Sequence, residues 1–115
     1  MKAYRVLYEG NFFPYGPSED FVFANTRKRA KSKFLANKSV FGSGKECKNN
    51  ETIGFYRLKE LDNCEKLSLM KIMEKLISEV TEFDLVAEIG EEKFNRENFD
   101  KAKFEKSWIK EYGRE

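Results

Sequence analysis

The chain has 115 residues, of which 40% are hydrophobic and 37% charged, and its 22 Lys/Arg and 20 Asp/Glu leave a net charge of only +2. That length fits a single domain with a sizeable core, taken as spanning 1–115, and the near cancellation of charge excludes a global cationic field of the kind that marks a dedicated polyanion binder. The absence of His excludes Ser-His-Asp and Cys-His catalytic arrangements and removes the commonest nitrogen ligand for metals.

In chain order, Tyr4, Val6 and Tyr8 alternate with other residues over 3–8 and have high strand preference, which predicts a first strand. Gly10, Asn11, Pro14, Gly16 and Pro17 then frame Phe12, Phe13 and Tyr15 in a loop, and Phe21, Val22 and Phe23 resume an extended strand, so the pair reads as a hairpin with a long connection. Asn25 or Thr26 can cap a helix whose apolar stripe is Ala30, Phe34 and Phe41 and which stops before Gly42. Residues 42–51 read as a polar, flexible linker. A third strand is expected over 53–59, with apolar residues on both faces.

Asp62, with Glu65 three residues on, resembles the start of a capping box and predicts a long helix with the stripe Leu69, Met73, Leu76, Val80 and Phe83, widened by Met70 and Ile77. Residues 85–89 and 91–95 around Gly90 suggest two short strands with a tight turn. Asn98 can cap a last helix with Asp100 in its first turn, Phe104, Trp108 and Tyr112 on one stripe, and Gly113 as its stop. The expected fold is therefore α+β, with a small, mostly antiparallel sheet of three to five strands packed against two or three helices in the order β-β-α-β-α-(β-β)-α.

The motifs that carry chemistry are few. Phe41-Gly-Ser-Gly-Lys45 resembles the end of a phosphate loop, but that motif needs Gly in place of Ser39 and Ser or Thr in place of Glu46, and here it comes after a helix. Asp84 with Glu91 and Lys93 matches the carboxylate-carboxylate-lysine set of metal-dependent nucleases, a spacing that arises by chance in a chain so rich in Glu and Lys. Cys47 and Cys64 lack metal or redox spacing and read as reduced thiols. The expectation is a protein without catalytic residues, metal or cofactor. A charge at Arg5 interrupts any leader-like start, and no apolar run reaches membrane-spanning length, so the expected setting is the cytoplasm, with no membrane partner.

Two surfaces are candidates for binding. Residues 1–62 hold twelve Lys/Arg against seven Asp/Glu, a net +5, and from Phe21 to Lys45 there are seven basic residues and no acid. Arg27, Lys28 and Arg29 fall in the first turn of the predicted helix, where they oppose the macrodipole. With Thr26, Lys31 and Lys38 they form a candidate anion or nucleic-acid site, Arg27, Lys31 and Lys38 sharing one stripe. The ordinary alternative is that Glu19, Asp20 or the acidic second half neutralises them. Phe12, Phe13 and Tyr15 are the candidate protein interface, as hot-spot aromatics or as a lid on the core. The Leu69–Phe83 stripe also suits pairing with a second copy as a homodimer.

Phe21-Val-Phe-Ala-Asn-Thr-Arg-Lys-Arg-Ala-Lys31, Tyr56-Arg-Leu-Lys-Glu-Leu-Asp62 and Glu97-Asn-Phe-Asp-Lys-x-x-Phe-Glu-x-x-Trp108 resemble stretches of small uncharacterised accessory proteins of bacteriophages and prophages of AT-rich bacteria. The resemblance implies a small non-catalytic protein that binds a host protein or nucleic acid, a class that includes inhibitors of host defence systems. No site residues come with it.

Overall fold

A computed structural model describes residues 1–10, 18–47, 53–80 and 85–113, which form two compact units, Met1–Glu65 and Lys66–Glu115. Among the described residues the elements have the expected α+β order, with three helices and five strands in two antiparallel sheets. No helix among them is long and apolar enough to cross a membrane.

In the first unit, β1 (Lys2–Tyr8) pairs with β2 (Ser18–Ala24) along its whole length, from Lys2 opposite Ala24 to Tyr8 opposite Ser18. On its other side it pairs with β3 (Gly54–Arg57), giving the order β2-β1-β3. The two-residue period of a strand places Tyr4, Val6 and Tyr8 on one face with Val22 and Phe55, and helix α1 (Arg27–Leu35) adds Ala30 and Phe34 to the same core. Phe34 is completely buried, its ring 5.1 Å from Tyr8 and 6.2 Å, edge-on, from Phe55. Burying such a ring contributes on the order of 2–3 kcal/mol, so the alternation in β1 and the i, i+4 pair in α1 jointly fix the helix on the sheet. Strand β3 is shorter than the expected 53–59 span; Phe55 turns into the core and Tyr56, on the other face, is 55% exposed, while Leu58 just beyond the strand is fully buried.

Helix α1 is shorter than its sequence suggests. It ends at Leu35 because Asn37 adopts a left-handed conformation (φ 61°), which lets the Lys38 N–H reach the Lys33 carbonyl at 2.9 Å and the Asn37 N–H reach that of Phe34 at 3.0 Å. That pair of bonds satisfies the last carbonyls and turns the chain away, so Phe41 lies outside the helix and is 45% exposed. The Gly-Ser-Gly segment beyond it is not a flexible linker. Gly42 is left-handed (φ 61°), and a Cβ on Gly44 would lie 1.8 Å from the Phe34 carbonyl oxygen, so the segment is seated against the end of α1.

In the second unit, α2 (Leu69–Ser78) is capped by Ser68, whose hydroxyl accepts from the Lys71 N–H at 3.3 Å. Asp62 does not cap this helix. Its carboxylate instead takes both Arg57 guanidinium nitrogens, at 2.5 and 2.6 Å, and the Ala3 N–H at 3.0 Å, a bidentate partner that outcompetes a distant helix start. Leu69 is exposed and Ile72, Leu76, Ile77 and Val80 are buried, so the apolar stripe is rotated from the expected one, whose last member, Phe83, lies outside the described residues.

Strands β4 (Ala87–Ile89) and β5 (Glu92–Phe94) form the expected hairpin about Gly90 (φ 63°). Helix α3 (Lys101–Tyr112) is capped by Asp100, whose Oδ1 accepts from the Lys103 N–H at 3.0 Å, and stops at Gly113 as expected. Asn98 is not the cap because it exchanges hydrogen bonds with Asn95, at 2.8 and 2.9 Å, and closes the turn before the helix. Ile77, Ile89, Phe94, Phe104 and Trp108 form this unit's core, with Phe94 and Phe104 in edge contact at 5.2 Å.

The Arg57 hydrogen bonds hold the Asp62 carboxyl down at about 2, against the opposing effect of burial and with lesser help from the Ala3 N–H. A carboxyl lowered on folding stabilises the native state above its ordinary value of 3.8, and that contribution is lost as pH falls toward 2. In Asp62→Asn, stability measured by denaturant titration should be lower than wild type at neutral pH, and the gap should close as pH falls from about 4 to about 2.

Candidate functional site

The cationic start of α1 is built by its cap. Thr26 is extended (φ −137°, ψ 159°) and its hydroxyl accepts from the Arg29 N–H at 3.1 Å, which commits the next three residues to the first turn although none is acidic. Arg27, Lys28, Arg29, Lys31 and Lys38 are all exposed, and none forms an ion pair with a carboxylate among the described residues. Helical spacing puts Arg27, Lys31 and Leu35 along one flank of the buried Ala30–Phe34 stripe and Arg29 and Lys33 along the other, with Lys28 facing outward. Only Lys33 is turned inward, its ammonium donating to the Phe23 carbonyl at 2.7 Å. Lys38 leaves the expected stripe with the turn at Asn37. The surface is thus a cationic cap around a short helix, with Leu35 (36% exposed) as its apolar member, while Phe41 packs edge-on against Phe21 of β2 at 5.8 Å.

Two acids close in sequence, Glu19 and Asp20, do not neutralise this charge. Glu19 is paired with Arg5 across the β1–β2 ladder. Asp20 is fully buried, and its carboxylate accepts from the N–H of Phe21 (2.7 Å), Phe41 (3.0 Å) and Ser43 (3.3 Å) and from the hydroxyls of Ser39 (2.5 Å) and Ser43 (2.6 Å). These bonds, with the Val40 N–H on the Phe21 carbonyl at 2.8 Å, fold the loop after α1 against β2. Tyr8 borders the same polar cluster. Burial raises its phenol, a hydrogen bond with Ser43 opposes the rise, and the charges of Glu46 and Asp20 add to it, so the ring keeps its proton.

Phe12, Phe13, Tyr15 and Asp84 lie outside the described residues. Glu91 is exposed on the β4–β5 turn, and the Lys93 ammonium lies 3.4 Å from Glu88 on the paired strand. No group of three or more His, Cys, Asp or Glu side chains that could hold a metal ion is present among the described residues, and Cys47 and Cys64 are not joined in a disulfide.

The second unit holds a polar cluster that the sequence did not announce. Glu74 is buried in α2 beside Glu105 of α3, and Lys71 lies 3.6 Å from the first and 2.5 Å from the second. Burial and then the neighbouring Glu105 push the Glu74 carboxyl up, against the pull of Lys71, while Lys71 holds Glu105 down. The available signal was position: Glu74 lies at i+4 from Met70 and i−3 from Ile77, inside the apolar stripe. A cleft of about 590 Å³ opens elsewhere in this unit, between the β4–β5 turn and Lys103, Lys106 and Lys110 of α3. Glu92 pairs with Lys103 there at 3.2 Å, so the cleft is charged but largely balanced.

Cations in the first turn oppose the α1 macrodipole by about 0.3–1 kcal/mol each. Arg27→Glu with Lys28→Glu should therefore raise stability by about 0.5–2 kcal/mol in chemical denaturation, an unusual sign for a double surface substitution. A loss of stability would mean that these side chains already have internal partners. No family model, curated protein or solved structure matches the chain.

Proposed function

We propose that the chain is a non-enzymatic binding protein of the accessory kind carried by bacteriophages, acting in the cytoplasm of the host cell by occupying an acidic surface on a host protein. The observation that carries this reading is the cluster of Arg27, Lys28, Arg29 and Lys31, exposed and without an ion-pair partner among the described residues, while Glu19 and Asp20 are engaged elsewhere. An electrostatic cost kept on a surface, with no compensation among the described residues, fits a surface whose counter-charge comes from a partner. Leu35, on the flank that Arg27 and Lys31 share, suits a protein partner, since interfaces set Arg around an apolar centre. Host defence systems are the targets that this context brings forward.

A nucleic acid is the second reading, favoured by the first-turn N–H groups that helix geometry leaves open beside Arg27 and Lys28. Against it, the cations surround one short helix rather than line a track, and Lys38 has left their stripe.

The test compares capture from host lysate by the wild type and by Arg27→Glu/Lys31→Glu, alongside salt-titrated DNA and RNA binding. The proposal expects a discrete protein that the wild type retains, the variant loses and rising salt weakens, with no steep salt dependence of nucleic-acid binding. Equal capture by both proteins would remove the cationic surface from the account. Tight nucleic-acid binding that collapses with salt and with the variant would establish the second reading instead.

A further inference from the structure

The loop after α1 is closed around a carboxylate that belongs to the chain itself. Five donors converge on Asp20, and four of them come from residues 39–43: the Phe41 and Ser43 N–H groups and the Ser39 and Ser43 hydroxyls. The fifth is the Phe21 N–H on β2, at 2.7 Å. Oδ1 takes the Phe21 and Phe41 N–H groups, and Oδ2 takes the two hydroxyls and the Ser43 N–H, so both oxygens of a planar carboxylate are engaged. No Lys or Arg among the described residues pairs with it. The left-handed Gly42 stands between the two residues whose N–H groups bind, the kind of backbone turn that gathers N–H groups into an anion-binding concavity.

We propose that Ser39–Ser43 is a carboxylate-binding nest ligated by the chain's own Asp20, and that this contact is the latch holding the loop from Ser39 to Lys45 against β2. The placement has two further anchors, the Lys45 N–H on the Asn37 side-chain oxygen at 2.8 Å and Gly44 seated on the Phe34 carbonyl. The likeness of Phe41-Gly-Ser-Gly-Lys45 to a phosphate loop acquires a physical meaning here: backbone donors do gather on an anion, but the anion is internal and fully buried, and it leaves no room for a phosphate. The latch stands whatever the outer surface binds.

The test is chemical rescue. Asp20→Ala leaves the donors without an acceptor and a space the size of the lost carboxylate, which formate can fill. The thermal midpoint of Asp20→Ala should fall well below wild type and then rise saturably with sodium formate, as one-site binding to the native state requires, while sodium chloride at matched ionic strength has no such effect and the wild type responds alike to both salts. A formate response of the variant no different from that of wild type overturns the proposal. If Asp20→Ala does not fold in any formate concentration, amide exchange in the wild type decides. Protection of the Phe41 and Ser43 N–H groups comparable to that of the β1–β2 ladder supports the latch, and exchange as fast as in an open loop overturns it.

Discussion

A carboxylate taken fully out of water has to recover from protein donors what hydration supplied, and in the first unit that demand falls on Asp20. Among the described residues it is met without a cation, by three backbone N–H groups and two serine hydroxyls. Four of these donors lie nineteen to twenty-three residues downstream of Asp20. Satisfying one side chain therefore fixes the course of the chain after α1, requires the left-handed step at Gly42 and brings Gly44 against a helix carbonyl where no side chain fits. The aromatic core, with Phe34 between Tyr8 and Phe55, holds α1 on the sheet. The Asp20 network sets the path of the chain beyond that helix.

The same network shapes the electrostatics of the surface. Asp20 is committed to residues 39–43, beyond the end of α1 opposite Arg27–Arg29, and so lends the helix start no counter-charge. With Glu19 on Arg5 and Asp62 on Arg57, the acids that strand geometry brings near the sheet are matched to their own partners. The result is a helix start whose cations oppose its dipole, held by the Thr26 cap and by burial of Ala30 and Phe34 rather than by charge. Proteins tolerate such local conflicts where a surface has work to do.

Much of the architecture was legible in the sequence, because it rests on local periodicity and on caps that act over three or four residues. Tyr4, Val6 and Tyr8 announced β1, Thr26 announced α1, and Gly113 closed α3. The features that escaped depend on partners distant in sequence. Asp62 has the spacing of a helix cap, but the guanidinium of Arg57 and the Ala3 N–H claim it, and Asn98 has the place of one, but Asn95 claims it. The end of α1 was misplaced because Asn37, not Gly42, takes the left-handed turn. Of the candidate site, the positions of Arg27 to Lys31 were readable, whereas the engagement of Glu19 and Asp20 was not, since a Ser-Glu-Asp run gives no sign of which acid turns inward.

Central to this account is a charge at the start of α1 that is not neutralised by the described residues of the chain. Its most direct test is the local opening of α1, monitored by amide exchange at Ala30 and Phe34 as sodium chloride is raised from low ionic strength. Salt screens exposed charges within a distance that shrinks as its concentration rises, so like charges crowded on a helix end repel less and the helix becomes harder to open. Protection at both amides that increases with salt is the predicted result. Protection that falls with salt would mean that ion pairs hold these cations, and it would contradict the account.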